Sequence, residues 1–145
     1  MLSKDFKDFV TLLNSNEVDY LVVGGYAMAL HGRPRYTGDL DVWIGNRVGT
    51  AAKMMKVLHE FGFGNLGLTE ADFIKPDHVV QLGYPPFRID LLTNIDGVDF
   101  ETAWKNRQKI VHDDQLLYFI GLSELKRNKQ ATGRPRDLDD LESLP

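Results

Sequence analysis

The chain has 145 residues, 43% of them hydrophobic and 26% charged, and its 17 Lys+Arg against 21 Asp+Glu leave a formal charge of −4 at pH 7. That apolar fraction excludes a disordered chain, and the absence of cysteine excludes disulfides, thiolate zinc sites and a cysteine nucleophile. Mild net acidity argues against bulk coating of nucleic acid, although it does not exclude local basic patches.

The longest apolar run, residues 20–30, contains two glycines and is well short of the ~20 residues a membrane span needs. The opening Met1-Leu2-Ser3-Lys4-Asp5 carries acid early and lacks a signal-peptide core. The expectation is a cytoplasmic chain with no membrane partner, folded as one minimal domain over residues 1–145.

Ser3 followed by Phe6, Phe9, Val10 and Leu13 predicts an N-capped amphipathic helix that Asn14-Ser15-Asn16 ends. The run 20–23 is a short buried strand stopped by Gly24-Gly25, and 26–30 is a short helix entered from those glycines. Gly32 and Pro34 break it. A second strand covers 40–44 and a helix covers 51–61, closed by Gly62. Residues 63–77 hold at most one helical turn, at 69–73. Strands are predicted at 79–82 and 87–92, a helix at 98–104, and two short strands at 109–111 and 116–120. Helices at 122–131 and about 135–144 complete the chain. Trp43 and Trp104 are assigned to the core or its border. The fold class is α/β, or α+β: a small mixed β-sheet flanked by helices.

The chemistry gathers at Gly24-Gly25 and Asp39-Leu40-Asp41. Residues i and i+2 of a strand share a face, so Asp39 and Asp41 present two carboxylates side by side. Adjacent carboxylates repel unless protons or cations lie between them. Hard divalent ions, Mg²⁺ above all, suit such an all-oxygen set. Asp90, in Arg88-Ile89-Asp90-Leu91, is a third acid in an otherwise apolar strand. Three carboxylates on neighbouring strands can hold two metal ions about 4 Å apart, the arrangement that clamps phosphoryl displacement. A strand that turns at Gly24-Gly25 into a helix exposes N–H groups toward an anion. Together these features suit a Mg–nucleotide. Each is common alone: paired glycines mark turns, and an Asp-x-Asp pair is often merely solvated. Their conjunction carries the argument.

Residues 126–136 hold Lys126, Arg127, Lys129, Arg134 and Arg136 and no acid. Such a block is either a solvated helix face with local ion pairs or a basic wall over phosphates, with Lys129 or Arg134 stabilising their charge. Arg33, Arg35 and Thr37 precede the acid pair on a loop. They either hold that loop or position phosphate. His31 is read as structural, and Tyr36 as a weaker candidate for stacking on a base.

The string Val23-Gly24-Gly25-Tyr26-Ala27-Met28-Ala29-Leu30-His31-Gly32, then Arg35-x-Thr37-x-Asp39-Leu40-Asp41 and Arg88-Ile89-Asp90-Leu91, resembles the DNA polymerase β-like nucleotidyltransferase superfamily. With the closing run from Lys129 to Leu141, it is similar to a small bacterial branch related to abortive-infection and MenT-type toxins. The resemblance implies a nucleotidyltransferase-like fold, a short mixed sheet with helices on one side. It also implies two Mg²⁺ ions, a nucleoside triphosphate, and transfer of a nucleotidyl group to an acceptor hydroxyl on RNA (tRNA or another 3′ end), a protein or a small molecule.

By this resemblance Asp39 and Asp41 are metal ligands, and Asp90 is a metal ligand or general base. Gly24 and Gly25 face the triphosphate, with Arg35, Thr37, Lys129 and Arg134 as further nucleotide contacts. Many members have Gly-Ser where this chain has Gly24-Gly25. The alternative expectation is a non-catalytic nucleotide- or partner-binding module of a toxin–antitoxin-like pair, with an antitoxin-like protein as partner. A third is RNA binding without chemistry through 126–136.

Overall fold

The computed structural model describes residues 2–32 and 37–145. The first helix, α1 (Lys4–Ser15), starts where the Ser3 hydroxyl accepts the Phe6 N–H, and it buries Phe6, Phe9, Val10 and Leu13. Their spacing puts all four on one stripe, and that stripe rather than intrinsic propensity stabilises a helix of this length. β1 (Tyr20–Val23) is buried at all four positions. α2 (Gly24–His31) follows without a connecting loop, so the helix takes in both glycines instead of starting after them. The remaining elements are β2 (Leu40–Ile44), α3 (Thr50–Glu60), a 3₁₀ turn (Glu70–Phe73), β3 (Val79–Leu82), β4 (Ile89–Leu92), α4 (Phe100–Lys105), β5 (Gln108–His112), β6 (Gln115–Phe119), α5 (Leu122–Thr132) and α6 (Pro135–Ser143).

The six strands form one mixed sheet in the order β3-β4-β2-β1-β6-β5. β1 and β2 are antiparallel, whereas β2 and β4, and β1 and β6, are parallel. This mixture brings the end of β1 and the beginnings of β2 and β4 to one edge. Gly24, Asp39 and Arg88 therefore converge there although the sequence separates them widely.

The strand period of two sorts the side chains. Leu40, Val42, Ile89 and Leu91 lie on one face, and Asp41, Trp43, Asp90 and Leu92 on the other. α1 and α3 border the first face, where Asp8, Leu12 and Phe61 line a groove shared with Leu82 and Ile89. α4 covers part of the second, with Phe100 meeting Trp43 edge-on at 5.0 Å between ring centroids. Helices thus lie on both faces, not on one side as the resemblance implies. The acid face needs this cover because Trp43, two residues beyond Asp41, is only 1% exposed.

The α4 side is held by an aromatic and cationic stack. Phe100 and Trp104 are stacked at 5.8 Å, with the Arg47 guanidinium 5.6 and 5.5 Å from their centroids and the Arg107 guanidinium 4.0 Å from Trp104. Arg47 also bonds Glu101 through two nitrogens, each at 3.0 Å, and pairs with Asp19. His31 Nε2 lies 2.7 Å from the Ile120 carbonyl and ties the end of α2 to the segment after β6, a structural role as expected. Among the described residues no helix is long and apolar enough to cross a membrane.

Candidate active site: three carboxylates, a glycine turn and the α5–α6 wall

A cleft of about 560 Å³ opens at the edge where β1 ends and β2 begins. Gly24, Gly25, Thr37, Asp39 and Asp41 form one side, and Lys129, Thr132, Arg134, Arg136, Asp137 and Asp140 form the other. Leu92, Asn94 and Asp96 lie along its floor and rim.

Asp41 and Asp90 stand opposite each other in the parallel register of β2 and β4. Burial, followed by the charges of Asp90 and Asp39, pushes the Asp41 carboxyl up to about 7. Three carboxylates are therefore crowded on one face, and one of them does not ionise freely. Gly24 makes the turn over them at φ +67, and a Cβ there would lie 2.1 Å from Asp41 Oδ2. Only a residue without a side chain lets the backbone pass so near the carboxylate. At Gly25 a Cβ would meet Thr37 Cγ2 at 2.7 Å and Thr37 Oγ1 at 3.2 Å. The Thr37 side chain thus occupies the space that a residue-25 side chain would need.

The far wall is more finely balanced than its sequence suggests. Lys129 is 7% exposed, and its Nζ donates to Asp140 Oδ2 at 3.0 Å and Asp137 Oδ1 at 3.3 Å. Asp137 also accepts from Thr132 Oγ1 at 2.7 Å and Arg134 Nε at 2.6 Å. The run 126–136 is therefore not a continuous basic face, because Lys129 turns inward and pins α6 to α5. The Arg134 side chain is 74% exposed, and Arg136 is also exposed. These two present positive charge at the cleft mouth.

The structure brings Gly24, Gly25, Thr37, Asp39, Asp41, Lys129 and Arg134 to the cleft, with Asp90 beside Asp41. Arg35 and Tyr36 lie outside the described residues. The reading of the sequence gave no role to Arg88, which the structure places among the acids. Its Nε donates to Asp90 Oδ1 at 2.8 Å, and its Nη2 donates to Asp90 Oδ2 at 3.1 Å and Asp39 Oδ2 at 2.9 Å. The signal was available, since Arg88 precedes Asp90 by two residues and shares its face. The Leu40 N–H to Arg88 carbonyl bond at 3.0 Å extends the ladder and sets Arg88 across from Asp39.

The donor set suits a hard cation: three carboxylates, all oxygen, crowded enough to raise one of their pKa values. As the side chains stand, no group of three or more His, Cys, Asp or Glu among the described residues is spaced to hold a metal ion.

No family model and no curated protein matches the chain. Solved structures do share its fold. A Thermotoga maritima protein classed by inference as a nucleotidyltransferase superposes with a TM-score of 0.65 at 15% identity, over 94% of this chain and 88% of that one. An antigenic nucleotidyltransferase-like protein from Paracoccidioides brasiliensis gives 0.58 at 23% identity, over 98% of this chain and 76% of that one. The chain has a nucleotidyltransferase-like fold.

Proposed function

We propose that the protein is a minimal Mg²⁺-dependent nucleotidyltransferase of the polymerase β-like superfamily, in the small bacterial branch that its motifs resemble. The observation that carries this reading is Asp41, set against Gly24 and paired in register with Asp90, lining one cleft with Asp39 and the α5–α6 wall. Asp39, Asp41 and Asp90 would hold two divalent ions, which neutralise phosphate charge when bound. Gly24 and Gly25 bring backbone to the triphosphate, and Thr37 offers a hydroxyl beside them. Arg134 and Arg136 face the phosphates from the other wall. Lys129 sets the position of that wall, since two carboxylates already match its charge.

In the proposed reaction an acceptor hydroxyl attacks the α-phosphorus. A new P–O bond forms, the bond to the β-phosphate oxygen breaks, and pyrophosphate leaves. The hydroxyl proton passes to a carboxylate of the trio. The acceptor is an RNA end, a protein hydroxyl or a small molecule, and the setting is cytoplasmic. Incubation with α-labelled nucleoside triphosphates, Mg²⁺ and total RNA or lysate tests this reading. Label should enter an acceptor with the natural chain and not with Asp41→Asn.

A second reading has its own support. Arg88 pairs with both Asp39 and Asp90, a local balance of charge that suits a module that binds nucleotide or a toxin–antitoxin-like protein partner without turnover. Nucleotide-dependent thermal stabilisation without label transfer would favour it.

A further inference from the structure

We infer that the groove on the face of the sheet opposite Asp41 and Asp90 docks a partner protein through a short apolar segment flanked by Lys or Arg. Docking and nucleotidyl transfer are independent, and either can fail without the other. The groove measures about 730 Å³ and lies between α1, the end of α3 and the β3–β4 turn. Its floor is apolar: Leu82 and Ile89 are buried side by side in the β3–β4 register, and Leu12 and Phe61 are half-buried beside them. Its rim holds two aromatic rings that the fold leaves uncovered, Tyr84 at 87% and Phe87 at 55% exposed. Aromatic rings left in water beside an apolar floor mark an interaction surface. Tyrosine in particular is enriched among the anchors of protein interfaces.

Charge selects the occupant. Asp5 and Asp8 on α1 and Glu60 at the end of α3 border the groove, and no Lys or Arg lines it among the described residues. Lys4 pairs with Asp8 at 2.8 Å, but its side chain is 86% exposed, and so exposed a pair gives way at little cost. Glu60 accepts from Asn16 at 2.7 Å and keeps its charge. Such a border repels RNA, acidic peptides and anionic lipid, and it attracts a cationic segment. Shape selects a chain over a compact ion. Asp5, Asp8 and Leu12 follow one another at i, i+3 and i+7 of α1, a line of about 10 Å at the helical rise per residue. That line matches about three residues of extended chain, with cationic side chains toward the two acids and an apolar one toward Leu12.

The test uses the full chain and a fluorescein-labelled peptide of alternating Lys and Leu, with a counterpart that carries Glu in place of Lys. Anisotropy at physiological salt should show the Lys peptide bound with a Kd below about 100 µM and the Glu peptide unbound. Tyr84→Ala and Asp5→Lys, both at exposed side chains, should each weaken binding at least about fivefold. Glu142→Lys makes the same charge change at an exposed position of α6 and should alter binding less than about twofold. In the natural chain the Lys peptide should shift the amide resonances of Leu12, Phe61 and Gly83 and leave those of Gly24 and Thr132 in place. Shifts centred on Gly24 and Thr132 would put the peptide in the acid cleft and overturn the inference without any variant. A Lys peptide that does not bind, a Glu peptide that binds equally, or an equal loss in Glu142→Lys would also overturn it. So would self-association of the natural chain in sedimentation equilibrium that Tyr84→Ala abolishes, since a second copy would then fill the groove.

Discussion

Asp41 faces Asp90 across the parallel β2–β4 pair, and the burial that brings them together also makes Asp41 hold its proton to about pH 7. An unfolded Asp releases its proton near the ordinary value of 3.8. Between those two pH values the folded chain is the one that binds the extra proton, so its stability falls as pH rises. The slope is about 1.4 kcal/mol per pH unit while the difference lasts.

Asp41→Asn removes this penalty. The variant should gain on the natural chain from about pH 4 to pH 7 and level off above that. At pH 8 and without divalent ions the gain should be on the order of 2 kcal/mol, with the full pKa shift discounted for partial exposure. Urea unfolding at pH 4, 6 and 8 checks this. A difference independent of pH would mean that Asp41 ionises normally in the fold.

Gly24→Ala should damage the site directly. Its Cβ would fall 2.1 Å from Asp41 Oδ2 at a backbone φ of +67. The strain alone is about 1 kcal/mol, and moving the carboxylate adds to it. At Gly25 the nearest atoms to an added Cβ belong to the Thr37 side chain and no positive φ adds strain, so Gly25→Ala should destabilise less. Thermal melts should rank Gly24→Ala below Gly25→Ala, and nucleotide-dependent stabilisation should be lost at least in the first.

Lys129→Met should be among the most damaging single changes outside the apolar core. It leaves Asp137 and Asp140 buried without their shared cation, a loss of about 3 kcal/mol. Burial opposes ionisation of Asp137, but Thr132, Arg134 and Lys129 together hold its carboxyl below the usual range. Its contribution is therefore present above the unfolded value of 3.8 and is lost as pH falls through the lower, folded one. Lys129→Met should narrow the stability gap between pH 7 and pH 3 relative to the natural chain, as denaturant titrations at both pH values will show.

Arg47→Ala is the contrasting case. It removes the pair with Glu101, the contact with Asp19 and the stacking on Phe100 and Trp104. The expected loss is about 1 kcal/mol. Arg47 precedes α3, at the far end of β2 from Asp39, so Mn²⁺ and nucleotide affinities measured on the folded variant should not change.

Much of this architecture was legible in the residues. The stripe Phe6, Phe9, Val10, Leu13 and the Ser3 cap predict α1 closely, because capping and period are local. The i,i+2 rule places Asp39 and Asp41 correctly, but it does not reveal that β4 runs parallel beside β2. That pairing is a long-range choice made by the sheet, and it brings Asp90 to the site. The same pairing puts Arg88 opposite Asp39, so a residue that looks like an ordinary strand-edge cation becomes the partner of two acids. Lys129 shows the converse. Its place in a basic run suggests a solvent-facing phosphate contact, yet it is buried against Asp137 and Asp140, carboxylates eight and eleven residues along. Charge runs do not record which side chains a helix turns inward.

The most direct test of the central claim is transfer of label from an α-labelled nucleoside triphosphate to an acceptor in the presence of Mg²⁺, comparing the natural chain with Asp39→Asn and Asp41→Asn. The account predicts Mg²⁺-dependent incorporation by the natural chain and a loss of at least about a hundredfold in each variant. Incorporation that survives both substitutions, or that needs no divalent ion, would contradict it.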